Sequence, residues 1–121
     1  MSDRTDLQFL QDILESACAA MEFVAGYDLA RFSGDRKTRS ATIRELEIIG
    51  EAANRISAAK KDMYPDVPWR LMKDFRNVLS HEYFGVSDEI LWDIVQRKIP
   101  ELVSQIKEII RIELSADGSV L

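Results

Sequence analysis

The stretch "TDLQFLQDILESACAAMEFVAGY", Thr5 to Tyr27, decides the fold class of this chain. Its apolar residues recur at every third or fourth position, namely at Leu7, Leu10, Ile13, Leu14, Ala17, Met21 and Val24. This spacing predicts a helix with one buried stripe, because an α-helix completes a turn in about 3.6 residues. Thr5 with Gln8 three residues later is a capping-box pattern and marks the start of the helix. The chain therefore opens with a long amphipathic helix.

Three further helices follow from the same spacing. A second helix is predicted from residue 35 or 37 to residue 59, and a third over residues 68–81. A cap at Ser87 or Asp88 begins a fourth, and Pro100 either kinks it or begins a fifth. Such helices, joined by short loops, predict an all-α fold, an antiparallel four- to five-helix up-and-down bundle.

The connections and the chain end have a different composition. The stretch "RFSGDRKT", residues 31–38, is predicted to be a loop because Gly34 and Asp35 are typical turn residues. Residues 115–121 carry too little apolar surface to dock, so we expect a frayed tail. Residues 1–114 then form a single domain, since a chain of this length buries one core.

Composition excludes several classes of protein. The chain has no apolar run long enough to span a membrane, and its N-terminus lacks the apolar centre of a signal peptide, so we expect a cytoplasmic protein. With one cysteine and one histidine, neither an internal disulfide nor a structural zinc cluster is expected, and the chemistry calls for no metal and no cofactor. The net charge of −5 argues against a general nucleic-acid coat protein.

Positive charge is nevertheless concentrated in one segment. Residues 31–44 hold five basic side chains and only one acidic residue, Asp35. Such a run either binds a polyanion locally or forms a solvated helix face, and the sequence leaves both interpretations open.

The predicted third helix has two distinct faces. At about 100° per residue, its large apolar residues fall on one arc. The opposite arc carries Trp69, Lys73, Asn77, Ser80 and His81, with Arg76 beside it. Lys73, Ser80 and Trp69 are therefore candidate substrate-binding residues. Trp69 could stack on a base, or it could pack against another helix or a second subunit.

Two residues of this polar arc could carry out phosphoryl chemistry. Arg76 offers a fixed fork of donors suited to phosphate, and His81 can exchange a proton near neutral pH. Asn77, one turn before His81, could orient its ring or a bound water. The alternative is that these are ordinary surface residues. A second candidate, the pair Glu47 and Glu51 with Asn54 on the same face of the second helix, is either a polar stripe or an incomplete divalent-metal site.

The motif around His81 resembles a known family. Arg76, four residues, His81, one residue and Tyr83 form the pattern of HepT toxins in the HEPN superfamily. The flanking blocks "RELEIIGEAANRIS" (44–57), "PDVPWRLMKDFRNVLSHEYFG" (65–85) and "LWDIVQRKIPEL" (91–102) look like the same family. The resemblance extends over residues 7–114, nearly the whole chain.

The resemblance implies a HEPN-like helical homodimer that brings two motifs into one cleft. It further implies a metal-independent endoribonuclease, the toxin of a type II-like toxin-antitoxin pair. Its partner would be an MntA-type nucleotidyltransferase antitoxin that silences it by adding AMP to Tyr83. By the same resemblance, Arg76 and His81 are the catalytic pair and Asn77 supports them. The alternative is a non-catalytic helical module that binds a nucleotide and partners a nucleotidyltransferase.

Overall fold

The computed structural model describes residues 4–81 and 87–116, with the backbone alone for residues 76–81 and 116. Seven α-helices form in this part of the chain: α1 (Asp6–Phe23), α2 (Leu29–Gly34), α3 (Arg36–Arg55), α4 (Ala58–Met63), α5 (Trp69–His81), α6 (Asp88–Asp93) and α7 (Ile99–Ala116). A π-helical turn, Ile94–Lys98, joins α6 to α7. No strand occurs in the described ranges, which confirms the all-α prediction.

Helix α1 begins as its capping pattern predicts. The backbone N–H of Gln8 donates to Oγ1 of Thr5 at 3.2 Å, and the backbone N–H of Thr5 donates to Oε1 of Gln8 at 2.8 Å. Both bonds satisfy N–H groups that a helix start otherwise leaves unpaired. The helix ends at Phe23, four residues before the predicted end.

Side-chain contacts fix the directions of the long helices. The carboxylate of Asp6 accepts from the backbone N–H of Ser57 at 2.9 Å and from its hydroxyl at 2.7 Å, so α1 begins where α3 ends. Lys60 and Tyr64 both bond Glu113, which places the C-terminal end of α7 at this same end of the bundle. Helix α1 packs against both α3 and α7. The long helices therefore alternate in direction, as predicted.

At the other end of the bundle, Arg39 in the first turn of α3 pairs with Asp88, the first residue of α6. Helix α5 packs against α3 and ends at His81, shortly before α6 in the chain. Because α5 begins shortly after the end of α3 and packs against it, α5 runs antiparallel to α3 and its C-terminal end points towards this end of the bundle. We call this end of the bundle, formed by α2, the first turns of α3, the end of α5 and the start of α6, the motif end.

The core is continuous and centred on α3, which packs against α1, α2 and α5. Its most completely buried large side chains are Leu10, Ile13, Phe32, Ile43, Leu46, Ile49, Met72, Leu91, Ile99 and Ile106. Gly50 is also buried, and Cys18 lies half-buried against the core. None of the described helices is both long and apolar enough to cross a bilayer.

The predicted loop at residues 31–38 is wrong at every position except Asp35, because residues 31–34 lie in α2 and residues 36–38 open α3. Asp28 caps the short helix α2 by accepting from the backbone N–H of Arg31 at 2.8 Å. Phe32 is fully buried, and its ring centroid lies 5.4 Å from that of Trp92. Tertiary burial of one aromatic side chain therefore stabilises a helix that is too short to show a periodic pattern.

Three predicted boundaries also change. Helix α3 ends at Arg55 because Ile56 is extended and Ser57 caps a new helix, α4. Pro100 is the second residue of α7, and the π-helical turn precedes it without interrupting the helical path. Helix α7 runs to Ala116, into the predicted tail, and residues 117–121 lie outside the described ranges.

Candidate functional site

Helix α5 carries most of the candidate residues, and its start is well defined. The backbone N–H of Met72 donates to the carbonyl oxygen of Pro68 at 3.1 Å, so Pro68 directly precedes the helix. Met72 and Phe75 are buried in the core, which fixes the face that α5 turns towards α3. The predicted apolar stripe is confirmed at these two positions.

The motif residues occupy the last turns of α5. The backbone of Arg76, Asn77, Ser80 and His81 is helical, while their side chains lie outside the described part of the chain. Five residues of helix rise by about 7.5 Å, so Arg76 and His81 belong to neighbouring turns. Asn77 and His81 are four residues apart and share one side of the helix. Tyr83 lies outside the described residues altogether.

Trp69 is the first residue of α5, and a hydrogen bond from its indole nitrogen holds its side chain in place. Its indole Nε1 donates to the backbone carbonyl oxygen of Tyr64 at 3.0 Å, and the half-buried ring packs against the core. These contacts favour the packing interpretation of Trp69, while base stacking stays a prediction. Lys73, one turn further on, is exposed and forms no ion pair with the side chains that the structure describes.

The segment before α5 is held by α7. The hydroxyl of Tyr64 donates to Oε2 of Glu113 at 2.7 Å, and Lys60 bonds the other carboxylate oxygen. Burial, together with this bond to Glu113, raises the pKa of Tyr64 to about 12. The bond from Lys60 lowers the pKa of Glu113, and Tyr64 contributes to the same effect. The segment before α5 is therefore tied to α7 through Tyr64, which stays neutral near pH 7, and Glu113, which stays ionised.

At the motif end, Arg39 and Asp88 form an ion pair between α3 and α6. The two side chains are 21% and 26% exposed, so water reaches little of either. Sequence reasoning placed Arg39 only in a basic cluster and missed this pair. The two residues lie 49 positions apart, and no local spacing pattern connects them.

Asp35, the single acidic residue of the basic segment 31–44, accepts several hydrogen bonds. Asp35 accepts from the backbone N–H of Thr38 at 3.0 Å, from its hydroxyl at 2.8 Å and from the hydroxyl of Tyr27 at 2.7 Å. The backbone bond contributes most, and together these bonds lower the pKa of Asp35 to about 2. The guanidinium of Arg31 lies over the Tyr27 ring, 4.0 Å from its centroid.

The remaining basic residues of this segment face solvent. Arg36 and Lys37 are exposed in the first turn of α3, and Arg44 is exposed two turns later. Arg39 is paired with Asp88, and Asp35 already accepts hydrogen bonds from its neighbours. The cations that face solvent at the motif end are therefore chiefly Arg31, Arg36 and Lys37. The structure therefore places these exposed cations together at the motif end.

Among the described residues, no further metal-ligating side chain joins the acidic pair on α3. Glu51 is exposed and lies 3.6 Å from the guanidinium of Arg55, one turn later. Within the part of the chain that the structure describes, no three histidine, cysteine, aspartate or glutamate side chains are placed to hold a metal ion. For Glu51, its contact with Arg55 supports the polar-stripe interpretation.

Sequence comparison relates the chain to known proteins. The sequence model described as "Ribonuclease HepT-like" matches residues 13–109. A protein of Methanocaldococcus jannaschii named "Putative RNase MJ0127" is 43% identical over 113 residues, which is 93% of each chain. "Probable ribonuclease HepT" of Thermococcus cleftensis is 39% identical over 106 residues, covering 88% of this chain and 96% of its own. No solved structure gives a significant match.

Proposed function

This chain belongs to the family of HepT-like ribonucleases, and from that premise we propose that it is the toxin ribonuclease of a toxin-antitoxin pair. Arg76 and His81 cleave RNA in the cleft of a homodimer, without a metal. The observation that carries the proposal is the family match, because residues 13–109 include α3, α5 and the whole motif. The names of the relatives, which describe ribonucleases, support the same class of reaction.

The proposed reaction uses the RNA's own 2′-hydroxyl as the nucleophile. Its oxygen attacks the adjacent phosphorus, the bond to the 5′-oxygen breaks, and the products are a cyclic phosphate and a free 5′-hydroxyl. His81 of one subunit removes the proton from the 2′-hydroxyl, and His81 of the partner subunit protonates the leaving oxygen. Arg76 stabilises the charge that develops on the phosphoryl oxygens. A dimer supplies both histidines, whereas one chain has a single histidine.

The charge distribution at the motif end supports RNA as the substrate. Arg31, Arg36 and Lys37 are exposed at the end of the bundle towards which α5 runs. A local positive surface can bind a phosphate backbone although the whole chain carries a net charge of −5. Lys73 extends this surface along α5.

The remaining motif residues take supporting roles in the proposal. Asn77 orients the ring of His81, Ser80 and Lys73 contact the RNA backbone, and Trp69 contacts a base further along the strand. An MntA-type nucleotidyltransferase transfers AMP from ATP to the hydroxyl of Tyr83, and pyrophosphate leaves. The added phosphate is a bulky anion two residues from His81, so it competes with RNA for the guanidinium of Arg76.

The test is cleavage of defined RNAs by the purified protein in excess chelator. We expect cleavage by the wild type and a loss of about 10²–10⁴ in rate for His81→Ala and Arg76→Ala. Arg70→Ala is the matched control, because Arg70 is an exposed cation on the same helix. If a folded wild-type dimer leaves RNA intact, or His81→Ala cuts at the wild-type rate, the nuclease proposal is wrong.

Regulation has a separate readout. After incubation with the nucleotidyltransferase and ATP, intact-mass measurement should show AMP additions that disappear in Tyr83→Phe. Additions on Tyr83 of a protein that never cleaves RNA would instead support the non-catalytic module. Additions that persist in Tyr83→Phe would rule out this tyrosine as the modified residue.

A further inference from the structure

A cavity of about 370 Å³ lies between the end of α1 and the first turns of α3. It is lined by six residues from three parts of the chain, which are Phe23, Tyr27, Asp35, Lys37, Thr38 and Ala41. Small-molecule sites in proteins occupy about 300–1,000 Å³ and combine apolar walls with a few polar groups. The cavity is therefore large enough for a small ligand, and its lining is mixed in the same way.

Two aromatic side chains bound the cavity. Phe23, the last residue of α1, and Tyr27, just before α2, are half-buried against the core. The guanidinium of Arg31 lies 4.0 Å from the centroid of the Tyr27 ring, so this ring already has a stacking partner. The Phe23 ring has no aromatic or cationic partner within the described part of the chain. Phe23 is therefore the ring against which a flat ligand can stack.

The polar groups of the cavity can still bind a ligand. Asp35 accepts one hydrogen bond at Oδ1, from the backbone of Thr38, and two at Oδ2, from the hydroxyls of Thr38 and Tyr27. A carboxylate has about four acceptor positions, so Oδ1 can accept one more donor. Lys37 is exposed and forms no ion pair with the side chains that the structure describes. The cavity therefore offers an acceptor inside and a cation at its edge.

These groups select the chemistry of the ligand. The carboxylate of Asp35 repels an anion and attracts an N–H donor, whereas Lys37 attracts an anion. The Phe23 ring favours a flat aromatic body, and a purine covers more of it than a pyrimidine does. Arg31 and Arg36 are exposed at the same end of the bundle and add to its positive charge. A nucleotide with an amino group on its base has all the required parts, namely a flat ring, an N–H donor and a phosphate.

We propose that this cavity binds a purine nucleotide whose base carries an amino group. The base stacks on Phe23, its amino group donates to Oδ1 of Asp35, and its phosphate pairs with Lys37. The nucleotide is either free or part of an RNA strand, since both present the same three groups. This inference goes beyond the proposed cleavage reaction, because the cavity binds a nucleotide whether or not the chain cuts RNA.

The experiment is titration of the wild-type protein with AMP, followed by amide NMR spectra and by calorimetry. We expect AMP to shift the amide signals of Lys37, Thr38 and Ala41 more than those of α7. Ribose 5-phosphate lacks the base, and purine riboside 5′-phosphate lacks only the amino group. Each should bind at least about fivefold more weakly than AMP, because one loses the stacking and the other loses a hydrogen bond to a charged group.

Variants assign the binding to this cavity. Phe23→Leu and Lys37→Ala should each weaken AMP binding at least about fivefold, whereas Phe23→Tyr keeps the ring and should bind within about twofold of wild type. Lys107→Ala is the matched control, because Lys107 is an exposed cation on α7. His81→Ala should bind AMP as the wild type does. If Phe23→Leu does not fold, Lys37→Ala and the two AMP analogues decide the question.

Three results would overturn the proposal. The first is a wild-type protein that does not bind AMP. The second is an analogue that binds as tightly as AMP, because the site would then recognise only an anion or would not use the amino group. The third is binding that persists in Lys37→Ala but disappears in His81→Ala, because AMP would then occupy the motif.

The source of the nucleotide is decided by a trinucleotide of adenylates. It is titrated into His81→Ala, in which the proposed reaction cannot cleave it. Binding tighter than that of AMP assigns the cavity to an RNA strand, and weaker binding assigns it to a free nucleotide. Either result supports the site, as does a wild-type protein that binds AMP in the cavity but cuts no RNA, although this last result refutes the ribonuclease function.

Discussion

The hydroxyl of Tyr27, just before α2, donates a hydrogen bond of 2.7 Å to the carboxylate of Asp35, which lies between α2 and α3. The same carboxylate caps α3 by accepting from Thr38. These donors lower the pKa of Asp35 from 3.8 to about 2. Because the folded chain has the lower pKa, the ionised carboxylate stabilises the fold above about pH 4, and this contribution is lost as the pH falls towards 2.

Asp35→Asn should therefore lower the free energy of unfolding at pH 7, and the deficit relative to wild type should shrink as the pH falls from 4 towards 2. Asparagine remains a good cap, so the loss reflects mainly the charge and the bond from Tyr27. Urea unfolding at a series of pH values measures the deficit. Asp28→Asn, at the cap of α2, is the control and should change stability less, because Asp28 is an exposed cap. A deficit that stays constant with pH would contradict the assigned role of the ionised carboxylate.

Phe32 tests whether α2 is a structural helix. Phe32→Ala should lower the free energy of unfolding by about 3–5 kcal/mol, because it removes a fully buried ring that packs on Trp92. Ser33→Ala, at the exposed neighbouring position, should change it by less than about 0.5 kcal/mol. Equal, small effects in thermal or urea unfolding would mean that residues 31–34 belong to the loop that the sequence suggested.

Sequence patterns predicted the elements that carry their own signals. Helix α1 was predicted from a long run of apolar residues at helical spacing and a capping box. Helix α5 was predicted from an apolar stripe after Pro68. Helix α2 has no such pattern, because its stability depends on one buried ring, Phe32, and burial by other helices cannot be recognised from local spacing. The end of α3 was placed too late because Ile56 continues the apolar period, while the cap at Ser57 begins a new helix.

The candidate site was predictable to a different extent. The spacing of Arg76, His81 and Tyr83 is local, so it could be recognised in the sequence. The pairing of Arg39 with Asp88 depends on how α6 folds back on α3, and two charged residues 49 positions apart carry no sign of contact. Trp69 was ambiguous for a related reason, because only the fold shows that a carbonyl oxygen lies within reach of its indole.

A pair of variants separates the two roles of Trp69. Trp69→Phe removes the bond to Tyr64 but keeps an aromatic ring, so it should cost about 0.5–1.5 kcal/mol of stability. Trp69→Leu removes the ring as well and should cost more. If Trp69 only packs, both variants keep the wild-type KM for RNA under conditions where they are folded. A rise in KM in Trp69→Leu alone would instead show that the ring stacks on a base, worth about 1–3 kcal/mol.

The exposed cations of the motif end should determine how salt affects RNA binding. Arg36 and Lys37 are exposed in the first turn of α3, so each can release a counterion from RNA when it contacts a phosphate. The double variant Arg36→Ala with Lys37→Ala should flatten the slope of log affinity against log salt by about 1.4, which is about 0.7 for each phosphate contact to a single strand.

Fluorescence anisotropy with a labelled single-stranded RNA and the inactive His81→Ala background measures this slope without cleavage. Lys107→Ala is the control, because Lys107 is an exposed cation on α7, outside the motif end. Its slope should match that of the parent protein. Equal slopes in the double variant and the control would show that the positive surface at the motif end does not bind RNA. RNA would then have to reach His81 along another face of the protein. Lys73, on α5, would be the first residue to test for such a face.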